Sequence, residues 1–203
     1  FFERGEYAKA AGQFRAATTL NPDSTKAHNY LGICNFQLKN YESARDEFEK
    51  AAALDPSFAS AYNNLAGIYA IKLEFEKAKE NFKKALSLDP NLVSANYSLG
   101  MLLFSLRENE EGSAYLSRAI ALDPDYLEKH KDFVTSFSSV PFDMTEMYFT
   151  YAKVYASRDN IEKTVVYLEK AKQAGFRDWE RILREKEFEK VRDDPRIKAF
   201  LIS

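Results

Sequence analysis

Cysteine and histidine are nearly absent from this 203-residue chain, with one and two copies respectively. A single thiol, Cys34, excludes an internal disulfide and leaves the redox compartment open, and no HExxH or paired-cysteine spacing is there to hold a metal. Glycine (7) and proline (6) are scarce too. Beside abundant Ala, Glu, Lys and Leu, that scarcity favours helices, because these residues lose little rotamer freedom in a helix. Net charge is also missing. Lys and Arg (29) nearly balance Asp and Glu (31), giving −2 with no long block of like charges, so no basic field attracts phosphates and nucleic acid is not an expected partner. No apolar run is long enough to span a membrane, and no signal peptide is visible. What is present, 45% hydrophobic and 30% charged residues, is the composition of a folded chain.

The dominant feature is a period. Pro22, Pro56, Pro90 and Pro124 lie 34 residues apart, three of them closing the phrases AALDP, LSLDP and IALDP. Stacking the units 25–58, 59–92 and 93–126 aligns Leu31, Leu65 and Leu99 in one column and Phe48, Phe82 and Leu116 in another. Small residues fill three more columns: Gly32, Ala66 and Gly100; Ala44, Ala78 and Gly112; Ala51, Ala85 and Ala119. Small residues let two antiparallel helices approach closely while large ones fill the seam. Each unit therefore reads as a helical hairpin, ended where proline pushes its preceding Asp or Asn out of helical geometry.

Ala61 to Pro90, AYNNLAGIYAIKLEFEKAKENFKKALSLDP, resembles a tetratricopeptide repeat at nearly every signature position. The resemblance implies an all-α fold: a right-handed superhelical solenoid of antiparallel hairpins with a C-terminal helical cap. Residues 1–24 match the second half of a unit, with Ala10, Phe14 and Ala17 in the packing columns. The chain thus reads as beginning inside a repeat of a longer protein. A removed targeting segment is compatible with that, so localisation stays open with the cytoplasm weakly favoured. Residues 144–178 realign as a divergent unit through Tyr151, Ala152, Tyr155, Leu168 and Ala171, with Thr164 and Phe176 departing from the pattern. Residues 179–203 read as capping helices, with Asp194 and Pro195 starting the last of them.

Between these parts, residues 127–143 break the period. Phe133 and Phe137 keep the spacing of a first helix, but no second helix follows Pro141. An orphan half-repeat and loop are expected there. Asp143 with Glu146 and Phe142 with Met147 then signal a new helix from Met144.

No catalytic constellation emerges, and neither enzyme activity nor a cofactor is expected. His28 and His130 occupy the same column three units apart, roughly 25 to 30 Å at one helix-packing distance per repeat, too far to share a metal. Both read as residues of an aromatic packing slot, and Cys34 as an inert core thiol.

The family resemblance implies that the first helix of each hairpin lines a concave groove for a protein or peptide ligand. Carried over position by position, it nominates Asn29, Ile33 and Phe36, then Asn63 and Asn64, then Tyr97, Met101 and Phe104. Amides can pair with a peptide backbone while aromatics and Met101 supply apolar contact. Lys26 alone is too little for the cationic carboxylate clamp of the chaperone-binding members. The expected function is an adaptor or scaffold module. The alternatives are a non-catalytic, substrate-presenting region of a larger enzyme such as a glycosyltransferase, or a homo-oligomerising module.

Overall fold

The computed structural model describes residues 5–126 and 144–202, so the expected orphan helix and loop at 127–143 lie outside the described residues. Among the described residues all regular structure is helical, in eleven α-helices and one 3-10 turn. They are α1 (Tyr7–Leu20), α2 (Thr25–Gln37), α3 (Tyr41–Leu54), α4 (Ala59–Ile71), α5 (Phe75–Leu88), α6 (Val93–Ser105) and α7 (Asn109–Leu122). Then come α8 (Met144–Ser157), α9 (Ile161–Ala174), the short α10 (Arg181–Arg184), the 3-10 turn Lys186–Phe188, and α11 (Pro195–Leu201). The chain forms two compact units, Phe1–Ser98 and Leu99–Ser203. In the first, α1 packs on α2, α2 on α3, α3 on α4 and α4 on α5; in the second, α8 packs on α7, on α9 and on the 3-10 turn, and α9 on α11.

The proline turns follow from local chemistry. Asp55 is held in extended geometry (φ −136°, ψ 94°), as a residue before proline must be. Its Oδ1 accepts from the Ser57 backbone N–H at 2.9 Å and the Ser57 hydroxyl at 2.6 Å, while the Phe58 N–H closes the turn on the Asp55 carbonyl at 3.0 Å. The same side-chain bond recurs from Asn91 to Asp89 and from Asp125 to Asp123, each at 3.0 Å, so one two-residue device ends successive hairpins.

The turn inside each hairpin is a second repeated device. Lys39, Leu73, Arg107 and Asp159 adopt φ of 62°, 60°, 63° and 59°. At each, the following N–H reaches back over the turn: Asn40 to Asn35 O, Glu74 to Tyr69 O, Glu108 to Leu103 O and Asn160 to Tyr155 O, at 2.8 to 3.0 Å. This is the left-handed helix stop that satisfies orphan carbonyls. The last of the four lies in the divergent 144–178 stretch, which turns like the others.

The packing columns form the seams. Phe48, Phe82, Leu116 and Leu168 are at most 1% exposed, each burial contributing about 1.5–3 kcal/mol. A Cβ on Gly32 would lie 2.5 Å from the Phe48 ring, and one on Gly100 would lie 3.0 Å from Leu116 N and 3.1 Å from Gly112 O. Thr164 fits a small-residue column because its hydroxyl donates to Asn160 O at 2.7 Å, which leaves its methyl for packing. Asp194 caps α11 through the Arg196 N–H, with Pro195 in the first turn.

Candidate interaction face

Three of the nominated side chains are joined by hydrogen bonds. The Asn64 amide on α4 donates to Asn29 Oδ1 on α2 at 2.8 Å, and the Asn63 amide donates to Asn64 Oδ1 at 3.3 Å. Asn29 and Asn63 are buried and Asn64 is half-buried. Asn63 Oδ1 is buried with no hydrogen-bond partner. Helix geometry makes the row possible, because residues of the same face on neighbouring first helices meet side by side. Next to it, Gly67 is buried, yet a Cβ there would meet no atom within 4 Å, so the face is recessed at that point. Tyr30, which follows Asn29 and is 41% exposed, stacks on Phe14 at 5.1 Å.

The other candidates lie differently. Ile33 and Phe36 are half-buried against the cluster Ala44, Phe48, Leu65 and Ile68, and Phe36 meets the Tyr41 ring edge-on at 5.6 Å. Tyr97, Met101 and Phe104 are 1%, 3% and 0% exposed. Column position assigned these three to the first-helix face but carried no information about their burial; like Asn29 and Asn63 they are nearly covered, and they lie outside the hydrogen-bonded row.

His28 is more than a packing residue. Its Nδ1 lies 2.6 Å from Glu47 Oε2 and its Nε2 2.8 Å from the Pro22 carbonyl. Cys34 is fully buried, and burial pushes its thiol up, as expected of an inert core cysteine. No group of three or more His, Cys, Asp or Glu among the described residues could hold a metal ion. None of the described helices is long and apolar enough to cross a membrane.

One polar cluster was missed from the sequence. Arg181 Nη1 donates to both oxygens of Glu146 at 2.8 and 2.9 Å and its Nε to Glu185 at 2.6 Å, with the guanidinium 4.4 Å from the Phe149 ring centre. Lys153 joins through Glu185 at 2.5 Å. A cleft of about 460 Å³ beside it is lined by Ser113, Ser117, Glu146, Lys153, Arg181 and Glu187 among others. Its two cations are committed to carboxylates, so the cluster is a structural lock. Only the i,i+4 spacing of Arg181 and Glu185 could have hinted at it.

Antiparallel hairpins recurring every 34 residues as far as residue 126, closed by the same two turns, define a helical-repeat protein. The chain belongs to the tetratricopeptide repeat family, whose repeats match residues 1–59, 59–92 and 93–126. Among solved structures it is similar to TTC0263, a thermophilic protein of this class from Thermus thermophilus, with 19% identity, a TM-score of 0.59, and coverage of 100% of this chain and 94% of that one. It is similar to MamA at 18% identity, a TM-score of 0.57, and 85% and 90% coverage. It is also similar to YrrB, described as having an unusual peptide-binding site, at 23% identity, a TM-score of 0.54, and 81% and 93% coverage. At these identities the likeness shows the fold. No curated protein matches the sequence.

Proposed function

We propose that the chain is a non-catalytic protein-interaction module that docks an extended peptide segment on the α2–α4 face of its first unit. The observation that carries this reading is the row Asn63–Asn64–Asn29, which runs across two hairpins. Side-chain amides both donate and accept, and so match the main chain of a peptide of any sequence. The hairpins do not need such a row, because their seam is made by Ala44, Phe48, Leu65 and Ile68. The unpaired Asn63 Oδ1 also supports the reading. A buried acceptor without a donor costs about 1–3 kcal/mol, and rotation of the side chain toward a docked N–H would remove that cost. Exposed Tyr30 and the recess at Gly67 add apolar surface and room beside the row. A structure of the same fold, YrrB, is described as having a peptide-binding site, which fits this use of the architecture.

The test is selection of peptides from a displayed library on the full chain, followed by titration of the selected peptide. Asn29→Ala and Asn64→Ala should each weaken its Kd about five- to tenfold, the size of one lost hydrogen bond, with the helical circular dichroism unchanged. An unchanged Kd in both variants, or no peptide selected, overturns the proposal.

A further inference from the structure

The His28 ring, 7% exposed, is held between two oxygen atoms that can only accept. One is Glu47 Oε2 on α3, 2.6 Å from Nδ1; the other is the carbonyl of Pro22, 2.8 Å from Nε2, in the turn that leads from α1 into α2. A neutral imidazole has one N–H, so it donates to one of these oxygens and turns a lone pair toward the other. The imidazolium donates to both. We propose that His28 is a proton-operated clasp: charged, it ties the Pro22 turn and the start of α2 to α3, and on losing a proton it releases one of the two ties.

The surroundings suit this device. Lys50 on α3 holds the other Glu47 oxygen at 2.8 Å. Burial pushes the Glu47 carboxyl up, but the hydrogen bonds and charges of Lys50 and His28 outweigh it and hold the group below its usual range. The remaining α3 charges pair elsewhere, Glu42, Asp46 and Glu49 all with Arg45. Asp23 in the turn, Lys26 on α2 and Lys9 and Arg15 on α1 are all exposed. Helix α4 carries no Asp, Glu, Lys, Arg or His. Ring, carboxylate and carbonyl thus share one movable proton. Asn29 is the next residue in α2, so the clasp sits at the root of the amide row.

The sign follows from the donors. Stability supplied by the clasp is present while the ring is charged and is lost when the ring gives up its proton. On the acid side the lowered Glu47 keeps its charge until the pH drops through its own titration, where the tie is lost from the other partner.

The experiment uses the isotopically labelled full chain, recording imidazole nitrogen spectra and amide exchange at about pH 5.5 and 8. At the lower pH both His28 nitrogens should carry protons. Exchange at Ala27, His28 and Tyr30, corrected for the intrinsic pH dependence, should be roughly five- to tenfold slower there than at the higher pH. His28→Gln should abolish that difference. If the variant does not fold, the wild-type spectra decide alone. A ring that stays singly protonated at the lower pH, or equal protection at both, overturns the proposal.

Discussion

At the scale of the residue, the hairpin turns hold strain that can be relieved. Lys39, Leu73, Arg107 and Asp159 all sit in the left-handed region, where a Cβ crowds the following carbonyl at a cost of roughly 1 kcal/mol. Leu73 is the informative case because it is 58% exposed, so little packing offsets the strain. Leu73→Gly should stabilise the protein by about 0.5–1 kcal/mol, less the extra freedom glycine has in the unfolded chain. Thermal unfolding should show a midpoint higher by about 1–4 °C. Asp159→Gly serves as the control: Asp tolerates this backbone better, so its gain should be smaller. A fall in midpoint for Leu73→Gly would show that the turn is not strained. These four positions were invisible in the sequence, since Lys, Leu, Arg and Asp share no side-chain chemistry. The proline turns were legible, because the residue before each proline carries the acceptor oxygen that closes the turn.

At the scale of the element, the segment after α9 is short and depends on charge for its attachment. The pieces α10 and the 3-10 turn are too short to hold themselves. They are fastened to α8 by apolar side chains such as Phe188, whose ring lies 5.5 Å from Phe149, and by the Arg181, Glu146, Glu185 and Lys153 lock. Burial pushes Glu185 up, yet hydrogen bonds and charges from Lys153 and Arg181 prevail and hold it low. A lowered carboxylate contributes stability that is present above its unfolded titration and lost as pH falls through its folded one. Glu185→Gln should therefore destabilise the chain at neutral pH by up to ~1 kcal/mol after screening, and the gap from wild type should close in acid. Thermal midpoints measured from pH 7 down to about 3 check this against the ordinary carboxylate range. A gap that persists undiminished at the acid end would assign the effect to packing. Sequence reading recognised the apolar capping residues but not this lock, because Arg181 and Glu146 stand 35 residues apart, outside any helical spacing.

At the scale of the whole molecule, the 34-residue period was legible because each hairpin up to residue 126 has small residues where its helices touch and proline where it ends. The candidate face was legible only in part. A column says which side of a helix a residue occupies, which found the row of Asn29, Asn63 and Asn64; it does not say what else covers that side, which is why buried Tyr97, Met101 and Phe104 looked available. The same periodic construction predicts how damage spreads. In a repeat protein stability is close to a sum of hairpin terms and nearest-neighbour contacts, so a local defect should stay local. Gly32→Ala drives a methyl into the Phe48 ring in the first unit, and Gly100→Ala drives one into the backbone of Leu116 and Gly112 in the second. Each should cost about 1–3 kcal/mol, the backbone clash more, because neither Leu116 N nor Gly112 O can move aside as a side chain can. Amide exchange should then accelerate in α2 and α3 for Gly32→Ala with α8 and α9 little changed, and in α6 and α7 for Gly100→Ala with α2 and α3 little changed. Equal acceleration in both units from either substitution would mean that the chain unfolds as one cooperative body and that the additive picture is wrong for it.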